Sequence, residues 1–296
     1  MAERSPGTSV PRRRLARLLR HHRELAGMTV EEVVAQQYAS KPTLWRIEKG
    51  DPRVRYHRGL VENLARLYGV DDETRSCMVG LAQETQSKGW LHAYGDVIPE
   101  NFELYVDLEA TVTRLLWYEP ELVPGLLQTK NYATVVISSV EDRDEAETLR
   151  RVQVRLARQA VLRRKTPAPP TLEIIINEAV LWRPVGGPTV MAEQLRHIND
   201  VSEWPNVRVR VVPFDAGIHQ GVLSGSFEIL FFSPANGDVE PTTVYLDGLC
   251  GDVYLDQKHQ VREYRAAFRN LEARALDEEA SREWIDQAAR RFDKNE

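Results

Sequence analysis

The chain has 296 residues, 42% of them hydrophobic, 28% charged and 8% aromatic, a composition that builds packed cores and excludes the polar, aromatic-poor class of disordered chains. Its two cysteines, Cys77 and Cys250, form no C-x-x-C pair, which excludes a disulfide framework and a cysteine-based metal site. The net charge of −5 conceals two segments of opposite sign: residues 1–70 carry 14 Lys and Arg against 7 Asp and Glu, and residues 71–296 carry 25 against 37.

A basic first segment is the electrostatic footprint of a nucleic-acid binder, because neutralising phosphates supplies the sequence-independent part of such affinity. A solvated basic surface is the plain alternative. Arg4, Arg12, Arg13, Arg14, Arg17 and Arg20 interrupt any apolar stretch that a signal peptide needs. No run approaches the ~18 apolar residues of a membrane span, so a cytoplasmic setting without a membrane partner is expected. Two unequal domains are expected as well, since single domains usually run about 100–150 residues.

In chain order, Leu15, Leu18, Leu19, His22 and Leu25 mark one face of a first helix, which Gly27 stops. Thr29, with Glu32 three positions on, makes a T-x-x-E capping box for a short second helix that ends near Gln37 and turns Val33 inward. Ser40 is the expected N-cap of a third helix, Lys41 to Lys49, whose first turn tolerates Pro42 and whose end is Gly50. Leu44 and Ile47 share its inward face and leave Lys41, Thr43, Trp45 and Arg46 outward. A fourth helix through Leu60, Leu64, Leu67 and Tyr68, and a fifth from about Asp72 with Met78 and Leu81, complete an all-α domain over residues 1–86. A short helix, a tight turn and a helix with outward basic residues is the geometry that places side chains in the major groove.

The second domain is expected over residues 87–296. A connector from about Ser87 to Pro99 leads into a helix with Phe102, Tyr105, Val106, Leu108 and Val112, and residues Trp117 to Ala133 read as a turn-rich connection between helices. Glu145 to Lys165 reads as one long helix with Val152, Leu156, Ala160 and Val161 inward. After Pro167-Ala168-Pro169-Pro170 the pattern turns strand-like at Leu172 to Ile176, Val207 to Val212, Phe227 to Phe232 and Thr243 to Leu246. Helices are expected at Thr189 to Ser202, at Gln257 to Leu276, and in a last segment with Trp284, Ile285, Ala288 and Phe292. The fold class is therefore α+β: a five-helix domain, then a mostly antiparallel or mixed sheet flanked by helices.

The stretch Met28 to Gly50, MTVEEVVAQQYASKPTLWRIEKG, resembles the helix-turn-helix of the Xre and Cro–cI class, ending in its R-I-E-x-G as Arg46-Ile47-Glu48-Lys49-Gly50. Where that class has an apolar residue and then Gly at the turn, this chain has Gln37 and Tyr38, and its recognition helix opens on Lys41-Pro42. Further on, PELVPGLLQTKNYA, NEAVLWRPVGGPTVMAEQLRHI, VRVVPFDAGIHQGVLSGSF and TVYLDGLCGDVYLDQ resemble the C-terminal domain of actinobacterial regulators of the Scr or WhiJ type, also described as antitoxin-like. The resemblance implies a nucleoid-associated transcriptional regulator of double-stranded DNA, commonly a homodimer, often with a small protein encoded nearby. It places Ser40, Lys41, Thr43 and Trp45 near bases, with Thr29 beside them. Arg12, Arg13, Arg14 and Lys49 would meet phosphates, and Arg46 would either touch DNA or pair inside the domain.

No catalytic centre, metal site or cofactor is expected. The seven histidines form no H-E-x-x-H; Gly221-Val222-Leu223-Ser224-Gly225 has its serine one place too late for a nucleophile elbow; and Gly186-Gly187 lacks the following Lys-Ser/Thr of a phosphate loop. His219, in a Gly-rich loop, and the group Glu178, Trp182 and Arg183 are candidates for lining a ligand or partner pocket. Ordinary core packing and surface pairing are the plain alternatives. Two other functions therefore stand beside DNA regulation: an antitoxin-like protein acting mainly through a small partner, and a ligand sensor.

Overall fold

A computed structural model describes residues 10–51, 53–85, 100–139, 144–233, 240–248 and 251–294. The chain divides into two compact units, one of residues 1–108 with 233–240, the other of residues 109–232 with 241–296. The expected boundary at 86/87 and the connector Ser87 to Pro99 fall largely on residues outside those described. The fold is α+β, a helical N-terminal region followed by a mixed sheet with flanking helices.

Five helices open the first unit: α1 (Val10–Leu25), α2 (Val30–Ala35), α3 (Lys41–Lys49), α4 (Arg58–Leu67) and α5 (Asp72–Glu84). Their starts are written locally. Thr29 accepts from the Glu32 backbone and Glu32 reaches back to the Thr29 N–H at 2.7 Å, so both halves of the capping box form. Asp71 caps α5 by accepting from Thr74 N–H at 2.8 Å. The core gathers Leu15, Leu19, Val33, Leu44, Ile47, Tyr56, Val61, Leu64 and Met78, all fully buried. Leu25, expected on the inward face of α1, is exposed, because the helix outruns this core by its last turn.

A sixth helix, α6 (Glu100–Thr111), leads to β1 (Arg114–Glu119), α7 (Lys130–Ser138), α8 (Glu145–Arg158), β2 (Thr171–Asn177), α9 (Ala179–Trp182), α10 (Pro188–Ser202) and β3 (Val207–Val212). Then come α11 (Gln220–Ser224), β4 (Phe227–Phe231), β5 (Thr243–Leu246), β6 (Val253–Leu255), α12 (Lys258–Glu272) and α13 (Glu278–Asp293). The sheet order is β3-β2-β1-β4-β5-β6. Strands β1, β2 and β3 are parallel, and β4, β5 and β6 continue antiparallel. The segment from β3 to β4 must therefore cross the carboxyl ends of β2 and β1, since Tyr118 near the end of β1 pairs with Phe227 at the start of β4.

The sequence pattern misses two of these strands, β1 and the three-residue β6. Trp117 begins no connection but belongs to β1, which has strand neighbours on both sides, β2 and β4. Its residues Leu115, Leu116, Trp117 and Tyr118 are all buried, so no polar alternation marks it. The helix expected through Lys165 stops at Arg158 and tightens into a 3-10 turn over Gln159–Arg163. Val152 is buried as expected, but Val154, Arg158 and Leu162 take the inward places and Ala160 is exposed. Arg158 is drawn inside by a two-pronged pair with Glu109, at 2.9 and 2.7 Å. Helix α12 covers one sheet face through Val261, Phe268 and Leu271 against Leu116, Tyr118, Ile175 and Phe227. Arg210 of β3 caps the end of α12 by donating to the Glu272, Ala275 and Leu276 carbonyls.

Candidate functional site

The helix-turn-helix is built from α2, a tight turn and α3. The turn closes because Gln37 adopts a left-handed backbone, φ +62°, a conformation that usually falls to glycine. Ser40 then caps α3, its Oγ accepting from Thr43 N–H at 3.3 Å and lying 2.8 Å from Thr43 Oγ1. Pro42 sits in the first turn, where its missing N–H leaves nothing unsatisfied. Gly50 ends the helix at φ +68°. The departures at Gln37, Tyr38 and Pro42 thus leave the unit's backbone intact.

Leu44 and Ile47 are fully buried. Lys41, Pro42, Trp45, Arg46 and Lys49 are exposed, and the steps of four between 41, 45 and 49 and between 42 and 46 put them on one stripe. Trp45 is 57% exposed, an unusual place for a large aromatic. The Arg46 side chain makes no hydrogen bond or ion pair among the described residues, although its charge acts on nearby Asp51. The motif residue that pairs inside the domain is Glu48, gripped by Arg23 of α1 at 2.6 and 2.8 Å while Arg23 also donates to the Met28 carbonyl. Lys41 reaches Glu31 at 2.5 Å from an exposed position. Thr29 and Ser40 are exposed caps, and Thr43 is half-buried.

The three consecutive arginines of α1 do different things. Arg12, expected to meet phosphates, is instead buried: it donates to the Asp51 carbonyl at 3.2 Å and to the Val54 carbonyl, and lies over the Tyr56 ring at 5.1 Å. Burial lowers its pKa, the mark of a guanidinium withdrawn from water. It pins α1 to the segment after α3. Arg13 lies 3.6 Å from the buried carboxylate of Glu240, which Arg17 also holds. Arg14 is half-buried. Sequence reasoning passed over Arg53 and Arg55, both exposed just beyond α3, although the run D-P-R-V-R-Y-H-R carried the signal. Arg53 is tied to Asp51 at 2.6 Å.

In the second unit, a cavity of about 390 Å³ opens at the carboxyl ends of β1, β2 and β3, lined by residues that include Tyr118, Glu121, Asn177, Phe214, His219 and Val222. Of the expected pocket residues only His219 lines it; Glu178 and Arg183 lie outside the lining and hold residues that do line it. Glu178 accepts from the Phe214 backbone N–H at 2.7 Å and from Trp182 Nε1 at 3.0 Å, fixing one lip. Arg183 is paired with Glu121. Trp182 lies off the lining, beneath the Arg291 guanidinium at 4.8 Å. His219 is 4% exposed and stands edge-on to Tyr118, ring centres 6.0 Å apart. Burial, and after it the positive charge of Arg274, lowers its pKa. Burial also pushes the Tyr118 hydroxyl up to about 12. Among the described residues no group of His, Cys, Asp and Glu is placed to hold a metal ion, and no helix is long and apolar enough to cross a membrane.

A DNA-binding helix-turn-helix protein is the class these elements define: residues 14–76 match the model of a helix-turn-helix domain. Residues 102–287 match a domain of unknown function, DUF5753. That second match covers more than half of the chain, and the protein belongs to the DUF5753 family. Nothing among curated proteins or solved structures matches it.

Proposed function

We propose that the chain is a sequence-specific transcriptional regulator that reads the major groove through α3. The observation that carries this is the exposed stripe of Lys41, Trp45, Arg46 and Lys49 opposite the buried Leu44 and Ile47. In this reading Arg46 and Trp45 meet base edges or the thymine methyl. Lys41, Lys49 and Arg55 meet phosphates, with Ser40 and Thr43 fixing the angle of entry. Arg13 and Arg14 contribute less, being partly withdrawn. The protein acts on double-stranded DNA as a homodimer in the cytoplasm, at the nucleoid, and performs no chemistry of its own. Its DUF5753 domain supplies regulation, pairing or contact with a small protein, which the likeness to Scr or WhiJ-type regulators supports.

A mobility-shift assay on DNA upstream of the protein's own coding sequence, at two salt concentrations, tests the reading. A sequence-selective shift is expected, weakened by salt and by Trp45→Ala/Arg46→Ala. Equal retardation of all sequences, with the variant behaving like the wild type, would sink it.

A further inference from the structure

We infer that the outer face of α12, together with the apolar segment from Phe214 to Leu223, is a docking surface for an acidic amphipathic helix of another protein. This deepens the partner contact proposed for the second unit and does not depend on how α3 meets DNA.

Four of the nine large apolar side chains exposed among the described residues fall in this one segment: Phe214, Ile218, Val222 and Leu223, at 58%, 80%, 58% and 73%. Apolar exposure clustered in this way marks a surface that another molecule covers. The segment is held against α12. Gln220 N–H donates to Asn270 Oδ1 at 3.2 Å, and a Cβ on the buried Gly221 would lie 2.9 Å from Leu271 Cδ2. With Gly221 turned inward, Val222 and Leu223 stand in water beside the helix.

Helix α12 presents charge of one sign there. Lys258, Arg262, Arg265 and Arg269 recur at steps of four, three and four, which gathers them into one exposed stripe. Arg265 lies over the Phe231 ring at 5.6 Å, and none of the four has an ion pair among the described residues. Glu263 is the one exposed acid of α12. Like charges four apart, Lys258 with Arg262 and Arg265 with Arg269, repel each other, so the stripe works against its own helix until anions meet it. Around the helix, the exposed Ala266 and Ala273 come between the stripe and Asn270, and their small side chains leave room for a second helix to lie alongside.

Cations on one side and apolar side chains on the other fit a partner helix with acids along the edge of an apolar face. A symmetric pair of this chain would set the stripe against itself or against its apolar neighbours. An extended polyanion, membrane or duplex, feels the whole unit around the stripe, and residues 71–296 carry 25 Lys and Arg against 37 Asp and Glu. A short acidic segment meets only the local cations, since charges beyond about 10 Å are screened.

Panning random peptides about 16 residues long, enough for roughly four helical turns, on the full chain tests the assignment. Expected are sequences with Asp or Glu beside Leu, Ile or Phe at helical spacing, binding at one site per chain in fluorescence anisotropy. Arg262→Glu/Arg269→Glu and Ile218→Asp/Leu223→Asp alter exposed side chains only, so each should keep the wild-type melting temperature and weaken those peptides at least tenfold. Trp45→Ala/Arg46→Ala should bind them as the wild type does, which separates failure here from failure of the DNA reading. No enrichment, enrichment of basic peptides, or peptides that bind both surface variants undiminished would overturn the proposal. So would binding of phosphatidylglycerol vesicles, retardation of duplex DNA or self-association that both variants abolish, which would give the surface to a membrane, a nucleic acid or a second copy of the chain.

Discussion

The stripe on α3 and the cavity at the sheet's edge leave room for a partner in opposite ways. On α3 the groups left over are charges in water: the exposed Arg46 side chain has no ion pair among the described residues, and Lys41 pairs there with the exposed Glu31. Around the cavity the carboxylate of Glu121 is paired with Arg183, and the polar group left over, His219 Nδ1, is buried with no hydrogen-bond partner among the described residues. Exposed charge finds a polyanion from a distance and weakens with salt. Polarity enclosed by the fold acts instead through stability, at a cost that salt does not screen. Two units of one chain thus spend arginine differently, and substitution can show it.

The largest effect is expected where charge is most deeply enclosed. The Arg158–Glu109 pair is 4% and 2% exposed, so Glu109→Ala takes a two-pronged carboxylate from a buried guanidinium and should destabilise the second unit by about 3–5 kcal/mol in denaturant unfolding. A change under about 1 kcal/mol would mean that Arg158 escapes to water, and the contrast with α3 would fail. Next comes Glu119, which accepts from Trp117 Nε1 at 3.1 Å. Burial, followed by the carboxylates of Asp247 and Glu121, raises its pKa to about 7, against the pull of Trp117 and Arg155. A carboxyl raised in the fold stabilises it when protonated, fully below about pH 4.3, and that contribution is lost as pH rises through 7. Glu119→Gln should therefore melt like the wild type at pH 4 and be more stable by about 1–3 kcal/mol at pH 8. Coincident melts at pH 8 would refute it.

On the DNA side, Arg46→Ala should weaken a specific site by about 1–3 kcal/mol in a mobility shift, whereas Lys49→Ala should weaken all sequences alike and lower the salt slope by about one. The smallest effect belongs to the turn. Gln37→Gly relieves the left-handed backbone and should raise stability by at most about 1 kcal/mol, with DNA affinity unchanged at constant folded fraction.

Sequence legibility follows the reach of the interactions. Helix α3 could be read from end to end because Ser40, Thr43 and Gly50 specify its limits within ten residues. Strand β1 could not, because its partners β2 and β4 lie more than fifty residues away and both of its faces are covered. Arg12, Arg13 and Arg14 look alike in sequence. Only the carbonyls of Asp51 and Val54, some forty residues on, decide that Arg12 turns inward. His219, Glu178 and Arg183 were visible as chemistry in loops. The cavity that His219 lines, with Glu178 and Arg183 behind its wall, was not, since it is made where three strands stop and no contiguous motif encodes that edge.

The roof of that cavity is also the chain's route from β3 to β4, residues 213–226. It is fastened at one end to an outer strand and at the other to the neighbour of β1, and Glu178 holds it at Phe214. Such a span rises like the handle of a basket and does not swing like a door. A substitution along it is therefore carried to both β3 and β4, and its course bends at Gly217 and Gly225, the two positions whose backbone only glycine adopts freely.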